Sequence, residues 1–426
     1  MSKNDKMTKI ENNLIFTLRR NNNCTKSFLS SSLKTPWSTV STAIKSLIDK
    51  QMVSIQFDSQ KETQHSQQYG APVILNDDYE FYVGVSVGSS CLKVVLLGFS
   101  FNILKKSLLK SESFSLFCQK LEIDEGFILY HNNDDLCKWC CETPKTIEEI
   151  RNKIRIITEL ICDLKSNSNY NITTITYTFS GKVDFQKQTI VESFAEKDKN
   201  GFRNTSLLSI LSSTISRKLE ENSIRCYIDH NVKSCTIAEK EALVKKKSIY
   251  NKPNMLFSYF SNGISLGMVF DDSLYRAETN IGGEWGQNYI GYLNSNNTYS
   301  EKPLEEIIRK DVFGLDNNDF SSKTAEELMT IINDDQNNWN KKLLVDLLGR
   351  SLYNVSNNLG IDNIVFSGKF DSIFESIEWE LIQEFEKRKK TGITLIKSSY
   401  GEFSAAVGAA MSCYYIKYNI PFSWKE

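Results

Sequence analysis

The sequence predicts an α/β protein carrying a small basic helical head, and three observations predict it. From Tyr82 onward, short apolar runs alternate with stretches of helical period. The first such run, Tyr82–Leu97 (YVGVSVGSSCLKVVLL), reads as two strands about a tight turn at Gly88, Ser89 and Ser90. Small residues there let backbone N–H groups approach an anion, the shape of a phosphate-cradling hairpin. Ahead of it lie about seventy residues with helical spacing and an excess of cations.

The head is read first. Residues 1–70 hold ten Lys/Arg against five Asp/Glu, a balance of +5, whereas the remaining 41 basic and 47 acidic residues give −6. A basic head on an acidic body fits nucleic-acid contact through the head; ordinary scatter of surface charge is the alternative. Ile10, Leu14, Ile15 and Leu18 mark an amphipathic helix over Lys9–Asn21, and a Thr cap opens a second over Thr25–Leu33. Thr35-Pro36-Trp37-Ser38 then starts a third, with Pro in the first turn. That helix, Ser38–Lys50, buries Val40, Ile44, Leu47 and Ile48 and presents Ser38, Thr39, Ser41, Thr42 and Lys45. Short hydroxyls and a lysine on one face suit phosphate and base-edge contacts in a major groove, with Lys34 and Lys50 placed near phosphates. Met52–Phe57 reads as a strand and Asp58–Gln68 as a wing tip or linker, so the head over 1–68 is expected to be a winged helix-turn-helix. A small helical cap with no ligand is the competing reading.

After a linker at 69–79, strands are expected at 80–87, 92–98, 101–107, 113–120, 172–179, 224–228, 255–260, 264–270 and 362–367. Helices are expected at 146–167, 204–221, 232–244, 303–312, 324–334, 340–359, 371–389 and 402–417. At 426 residues the chain has room for two or three domains. It has no apolar run of membrane-spanning length and no signal-peptide h-region at its start. Ten cysteines without framework spacing suit reduced thiols, and a cytoplasmic location is expected.

Taken in order, these segments resemble the ROK proteins, a family of sugar kinases and sugar-responsive repressors. Tyr69-Gly70-Ala71-Pro72-Val73-Ile74-Leu75 is similar to its connector, and Gly84–Cys91 (GVSVGSSC) to its first phosphate motif, GIDIGGTK. Ser180–Asp184 is similar to the PGPVD turn, and Ser261-Asn262-Gly263-Ile264-Ser265-Leu266-Gly267 to the second phosphate motif, GTGIGAG. Gly283-Glu284-Trp285-Gly286-Gln287 is similar to the GEIGH sugar-site motif, Ile364–Lys369 to the adenosine segment, and Ala406–Ala410 to the last glycine–alanine helix. The resemblance covers almost the whole chain. It implies a two-lobed actin/hexokinase-like (ribonuclease H-like) body, with lobes over 80–200 and 201–426 and the last helix returning toward the first lobe.

The departures from the family pattern argue against catalysis. Where the kinases carry an Asp and a Lys in the first hairpin, this chain has Ser86 and Cys91. Asp229-His230-Asn231-Val232-Lys233 falls on the family's ENDAN, so Asn231 stands at the catalytic Asp. An amide cannot accept the sugar hydroxyl's proton; a one-residue shift would put His230 there instead. The zinc histidine of GEIGH is Gln287, and Tyr289–Glu305 has no cysteine, so no metal and no cofactor are expected. Gly88, Ser89, Ser90, Ser261, Asn262 and Gly263 then form degenerate phosphate loops. His230, Asn231, Glu284, Gln287 and Glu305 remain to meet a small, sugar-like effector.

The resulting expectation is a non-enzymatic, DNA-binding regulator, most simply a repressor, acting as a homodimer or homotetramer on double-stranded DNA. Two alternatives stand beside it: an active or vestigial ATP-dependent sugar kinase with a regulatory head, and a scaffold that binds neither DNA nor sugar. The Cys137-Lys138-Trp139-Cys140-Cys141 cluster near His131 is read as structural, since no second CxxC accompanies it. His65 is read as a solvated loop residue.

Overall fold

The computed structural model describes residues 7–21, 24–56, 70–88, 91–109, 111–129, 136–144, 146–168, 170–193, 202–246, 253–261, 263–277, 282–316, 319–320, 323–334 and 338–418. The wing tip at 58–68, His65, Ser89, Ser90, His131 and Asn262 lie outside them.

Three helices and one strand pair build the head: α1 (Lys9–Arg20), α2 (Lys26–Ser32), α3 (Trp37–Asp49), β1 (Val53–Ile55) and β2 (Val73–Leu75). Each start obeys a local rule. Thr8 and Glu11 close a capping box on α1, Thr25 caps α2, and Pro36 precedes α3. Glu11 does more than cap. Its carboxylate also accepts from Ser46 Oγ and Lys50 Nζ, each at 2.7 Å, tying the first turn of α1 to the last turns of α3. Strand β2 falls inside the stretch read as linker; it pairs antiparallel with β1, and Val73 N–H donates to Cys24. The connector is thereby part of the head.

The first lobe is a six-stranded sheet in the order β11-β7-β3-β4-β6-β5, formed by β3 (Phe81–Val87), β4 (Cys91–Leu97), β5 (Ile128–Leu129), β6 (Lys138–Glu142), β7 (Ile172–Phe179) and β11 (Arg225–His230). Helices α4 (Glu112–Gln119) and α5 (Ile147–Ser166) belong to it, as does the small sheet of β8 (Gly181–Asp184), β9 (Thr189–Ser193) and β10 (Arg203–Ser206). Strands β10 and β11, assigned to the second lobe from the sequence, pair here with β9 and β7. Between them run α6 (Leu207–Ile210) and α7 (Ser213–Glu221), and α8 (Asn231–Lys245) follows β11.

The second lobe holds the sheet β14-β13-β12-β17-β18, from β12 (Met255–Phe260), β13 (Ile264–Phe270), β14 (Ser273–Leu274), β17 (Asn363–Gly368) and β18 (Thr394–Lys397). A hairpin of β15 (Tyr289–Leu293) and β16 (Tyr299–Pro303) leads into α9 (Leu304–Ile307). Helices α10 (Ala325–Asn333), α11 (Trp339–Leu359), α12 (Phe370–Lys387) and α13 (Ser404–Lys417) complete it. In both lobes an antiparallel hairpin adjoins parallel strands.

Two expected strands are replaced. Ser111 caps a helix over 112–119, whose Phe114, Phe117 and Cys118 are buried at helical spacing, where a strand was expected at 113–120. The stretch 101–107 gives only isolated bridges and a 3₁₀ turn at Lys106–Leu108. The single helix expected at 204–221 is broken because Ser206 and Ser212 each cap a new start.

Helix α13 returns to the first lobe and lies between β3 and α8. The approach is so close that a Cβ on Gly84 would sit 1.9 Å from Ala406 O, and one on Gly408 1.7 Å from Ser234 O. One continuous apolar core joins this region to the head. Leu14, Ile15, Leu18 and Val40 of the head pack in the same cluster as Tyr82, Phe99, Ile237, Ala406 and Tyr414 of the body. Charge crosses the same boundary. Arg20 donates to Glu241 from Nε (3.1 Å) and Nη2 (2.9 Å) and to Asp272 (3.0 Å). Arg19 donates twice to Phe99 O, with its guanidinium 3.7 Å from the ring centres of both Phe101 and Tyr414. Both arginines are buried.

Candidate functional site

A cleft of about 550 Å³ opens where β7, β11, α8, β13 and the 284–287 turn converge. All five residues expected to meet a ligand line it: His230, Asn231, Glu284, Gln287 and Glu305. Ser261 and Gly263 of the second loop line it too, whereas Gly88 does not.

The N-terminus of α8 sets the back wall. His230 is its N-cap, with Nδ1 accepting from Val232 N–H at 3.1 Å. Burial, with Lys233 close by, pulls the imidazole down to about 3, so it is neutral near pH 7. Asn231 donates from Nδ2 to Ser180 Oγ (3.1 Å) and accepts from Val232 N–H at Oδ1 (2.8 Å). Its amide therefore bridges the end of β7 to α8 and supplies no base. Behind it Asp229, fully buried, holds Arg276 through a two-pronged pair at 2.6 and 2.7 Å.

The opposite wall is rich in acceptors. Gln287 donates to Glu305 at 2.6 Å, and Arg309, one helical turn on, lies 3.7 Å from the same carboxylate. Burial pushes Glu284 above the usual carboxylate range, against the pull of Lys182 and Lys233. Lys233 donates to Gly282 O at 2.6 Å and braces the 282–284 loop; burial brings its ammonium down to about 8. Carboxylates, an amide and hydroxyls around a polar cleft suit a ligand with several hydroxyl groups.

Lys182 and Ser265, within the turn and second-loop motifs but not named as ligand residues, also line the cleft, as do Glu192, Tyr259 and Arg309, which no motif pointed to. Arg309 was within reach of the sequence, being four residues from Glu305. Glu192 was not, because only the pairing of β9 with β8 brings it opposite Lys182, 3.3 Å away.

The residues on either side of the first hairpin turn are tied together. Gly88 N–H donates to Cys91 O at 3.0 Å, and Thr143 Oγ1 donates to Gly88 O at 2.7 Å. Lys93, the hairpin's one lysine, is bound to Glu402 at 2.9 Å just before α13. Ser86, in the kinase Asp position, is buried.

On the head, α3 leaves Ser38, Thr39, Thr42 and Lys45 exposed, with Lys34 exposed in the turn before it and Ser41 half-buried. Thr42 Oγ1 donates to Ser38 O at 3.0 Å. The ammonium of Lys50 is bound to Glu11 inside the head, unlike the exposed phosphate contact expected of it. Arg19 and Arg20, counted among the head's cations, are buried against the body.

Comparison with known proteins defines the class at the level of fold. No protein-family model and no curated protein matches the sequence. Among solved structures, one described as a ROK family transcriptional regulator, a homolog of E. coli MLC, matches 96% of this chain and 97% of its own length, with a TM-score of 0.65 and 12% identity. A ROK family glucokinase from Streptomyces griseus, in complex with glucose and AMPPNP, covers 78% of this chain and 99% of its own (TM-score 0.52, 10% identity). A putative N-acetylmannosamine kinase from Listeria monocytogenes covers 79% and 99% (TM-score 0.52, 15% identity). The chain has the ROK fold. The match to the regulator extends over the head, whereas the two kinases match about four fifths of this chain.

Proposed function

We propose that this protein is a DNA-binding transcriptional regulator, a repressor, whose kinase-like body senses a small sugar-like ligand without phosphorylating it. One observation carries the reading: the hydroxyl- and lysine-bearing face of α3 is exposed on a three-helix head firmly docked to a ROK-fold body. The head acts as a winged helix-turn-helix, α3 entering the major groove with Ser38, Thr39, Ser41, Thr42 and Lys45, and Lys34 beside a phosphate. The body does not catalyse, since Asn231 offers no base and Lys93 is held by Glu402.

Helix α8 links the two sites. Its first turn carries His230 and Asn231 in the cleft, and Glu241, three turns on, holds Arg20 of the head. A ligand that favours one lobe arrangement biases the head through this helix, provided that it binds the two states unequally. Among the described residues of the head only three cations, Lys9, Lys34 and Lys45, are exposed, so tight binding requires two heads in a homodimer or higher homo-oligomer acting in the cytoplasm.

Selection of random-sequence duplexes by the full-length protein tests this reading. Enrichment of one motif, repeated with two-fold symmetry for a dimer, is expected. A pool that stays random after repeated rounds overturns it.

A further inference from the structure

We propose that Cys91 and Cys140 form an oxidisable dithiol beside the first hairpin turn, which a hydroperoxide closes to a disulfide. The inference stands apart from the regulator reading. Strand register places the pair: β4 and β6 run antiparallel with Cys91 opposite Glu142 and Lys93 opposite Cys140. Side chains two residues apart on a strand share a face, so the two cysteines are diagonal neighbours on one face. Both residues are half-buried, and Lys93, paired directly with Cys140, belongs to the same face. Cys141, between them in sequence, points to the opposite face and packs in the first-lobe core.

The environment gives the two sulfurs different roles. The neighbouring Cys140 thiol and the charge of Lys93 outweigh burial and bring Cys91 to about 7, while Cys140 is pushed up and stays protonated. Other thiols are pushed the other way by burial: Cys141 and Cys162 to about 11, Cys118 and Cys413 to about 12, and Cys226 and Cys235 well above their usual range. Cys91 is therefore the nucleophile and Cys140 its resolving partner.

The chemistry balances. The Cys91 thiolate attacks a peroxide oxygen; an S–O bond forms, the O–O bond breaks, and the leaving alkoxide or hydroxide takes a proton. Cys91 is now a sulfenic acid. Cys140 gives up its proton and attacks that sulfur; the S–S bond forms, the S–O bond breaks, and water leaves. Two thiols and one hydroperoxide thus become a disulfide, an alcohol (or water) and one further water. Diagonal strand neighbours lie about 7–8 Å apart at Cα, against about 4.4–6.8 Å across a disulfide. Closure must therefore draw the start of β4 toward β6. Cys91 is the first residue of β4 and holds Gly88 N–H through its carbonyl, so Gly88 moves with it.

The test treats the reduced, full-length protein with hydrogen peroxide, blocks remaining thiols and maps peptides by mass spectrometry. A dithiothreitol-reversible link between the Cys91 and Cys140 peptides is expected, retained in Cys141→Ser and lost in Cys140→Ser. In Cys140→Ser, Cys91 should stop at a sulfenic acid that dimedone traps. With limiting iodoacetamide at pH 7, Cys91 should react at least about tenfold faster than any other cysteine. Circular dichroism confirms that each variant is folded. A link that survives Cys140→Ser, or Cys91 alkylation no faster than that of Cys118, overturns the proposal.

Discussion

Arg20→Ala should undock the head from the body without unfolding the body. Arg20 and Glu241 are 8% and 5% exposed and share two hydrogen bonds, with Asp272 as a third partner. Removing one member of a buried ion pair costs about 3–5 kcal/mol, because the partner charge stays buried. Here Glu241 keeps Lys240 at 3.0 Å and the Tyr415 hydroxyl, so the lower end, about 3 kcal/mol, is expected. That is roughly a 150-fold rise in the population of the undocked head. Native-state hydrogen exchange reads it directly. Amides of α1 should lose about two orders of magnitude of protection, while those of β12 and β17 keep theirs. A double variant with Glu241→Ala should cost at least about 1 kcal/mol less than the sum of the single variants. Unchanged exchange in α1, or an equal loss throughout the chain, would refute the interface as the head's anchor.

Four further outcomes follow from the site and the core. With MgATP and a panel of hexoses, a coupled assay should detect no turnover above background, and turnover abolished by Asn231→Ala would contradict the regulator reading. His230 has a folded pKa of about 3, below its usual 6.5, so the unfolded chain binds its proton first. Stability should therefore fall as pH drops from about 6.5 toward 3, and His230→Asn, which keeps a cap, should flatten that slope in urea titrations. Gly84→Ala should destabilise by about 1–3 kcal/mol, because its Cβ meets the Ala406 carbonyl, and a lower urea midpoint measures it. Glu284→Gln should weaken any polyhydroxylated ligand found by thermal shift about tenfold, the loss of one charged hydrogen bond.

Much of this was legible in the residues, and what was not has a physical cause. The helices of the head follow from Ile10, Leu14, Ile15 and Leu18 and from the Thr caps, which are local signals. The five cleft residues come together because their motifs lie at strand ends and a helix start, where an α/β sheet collects them. Phe114 and Phe117 misled because a short aromatic run has no clear period, and Ser111 decides it as a cap. Arg19 and Arg20 misled more deeply. Charge counting included them in the head's balance of +5, yet α1 turns them inward onto Glu241, Asp272 and the Phe99 carbonyl. Partners some 80 and 220 residues away leave no local trace. The same holds for β2, whose pairing with β1 turns an apparent linker into part of the head.

The most direct test of the regulator reading is binding of the purified full-length protein to duplex DNA from its own upstream region. Fluorescence anisotropy against excess nonspecific competitor reads it at several salt concentrations. Competitor-resistant, salt-sensitive binding that is lost in the Thr39→Asp, Lys45→Glu double variant is the predicted result. Binding no tighter than to nonspecific duplex, or specific binding untouched by the double variant, would contradict it.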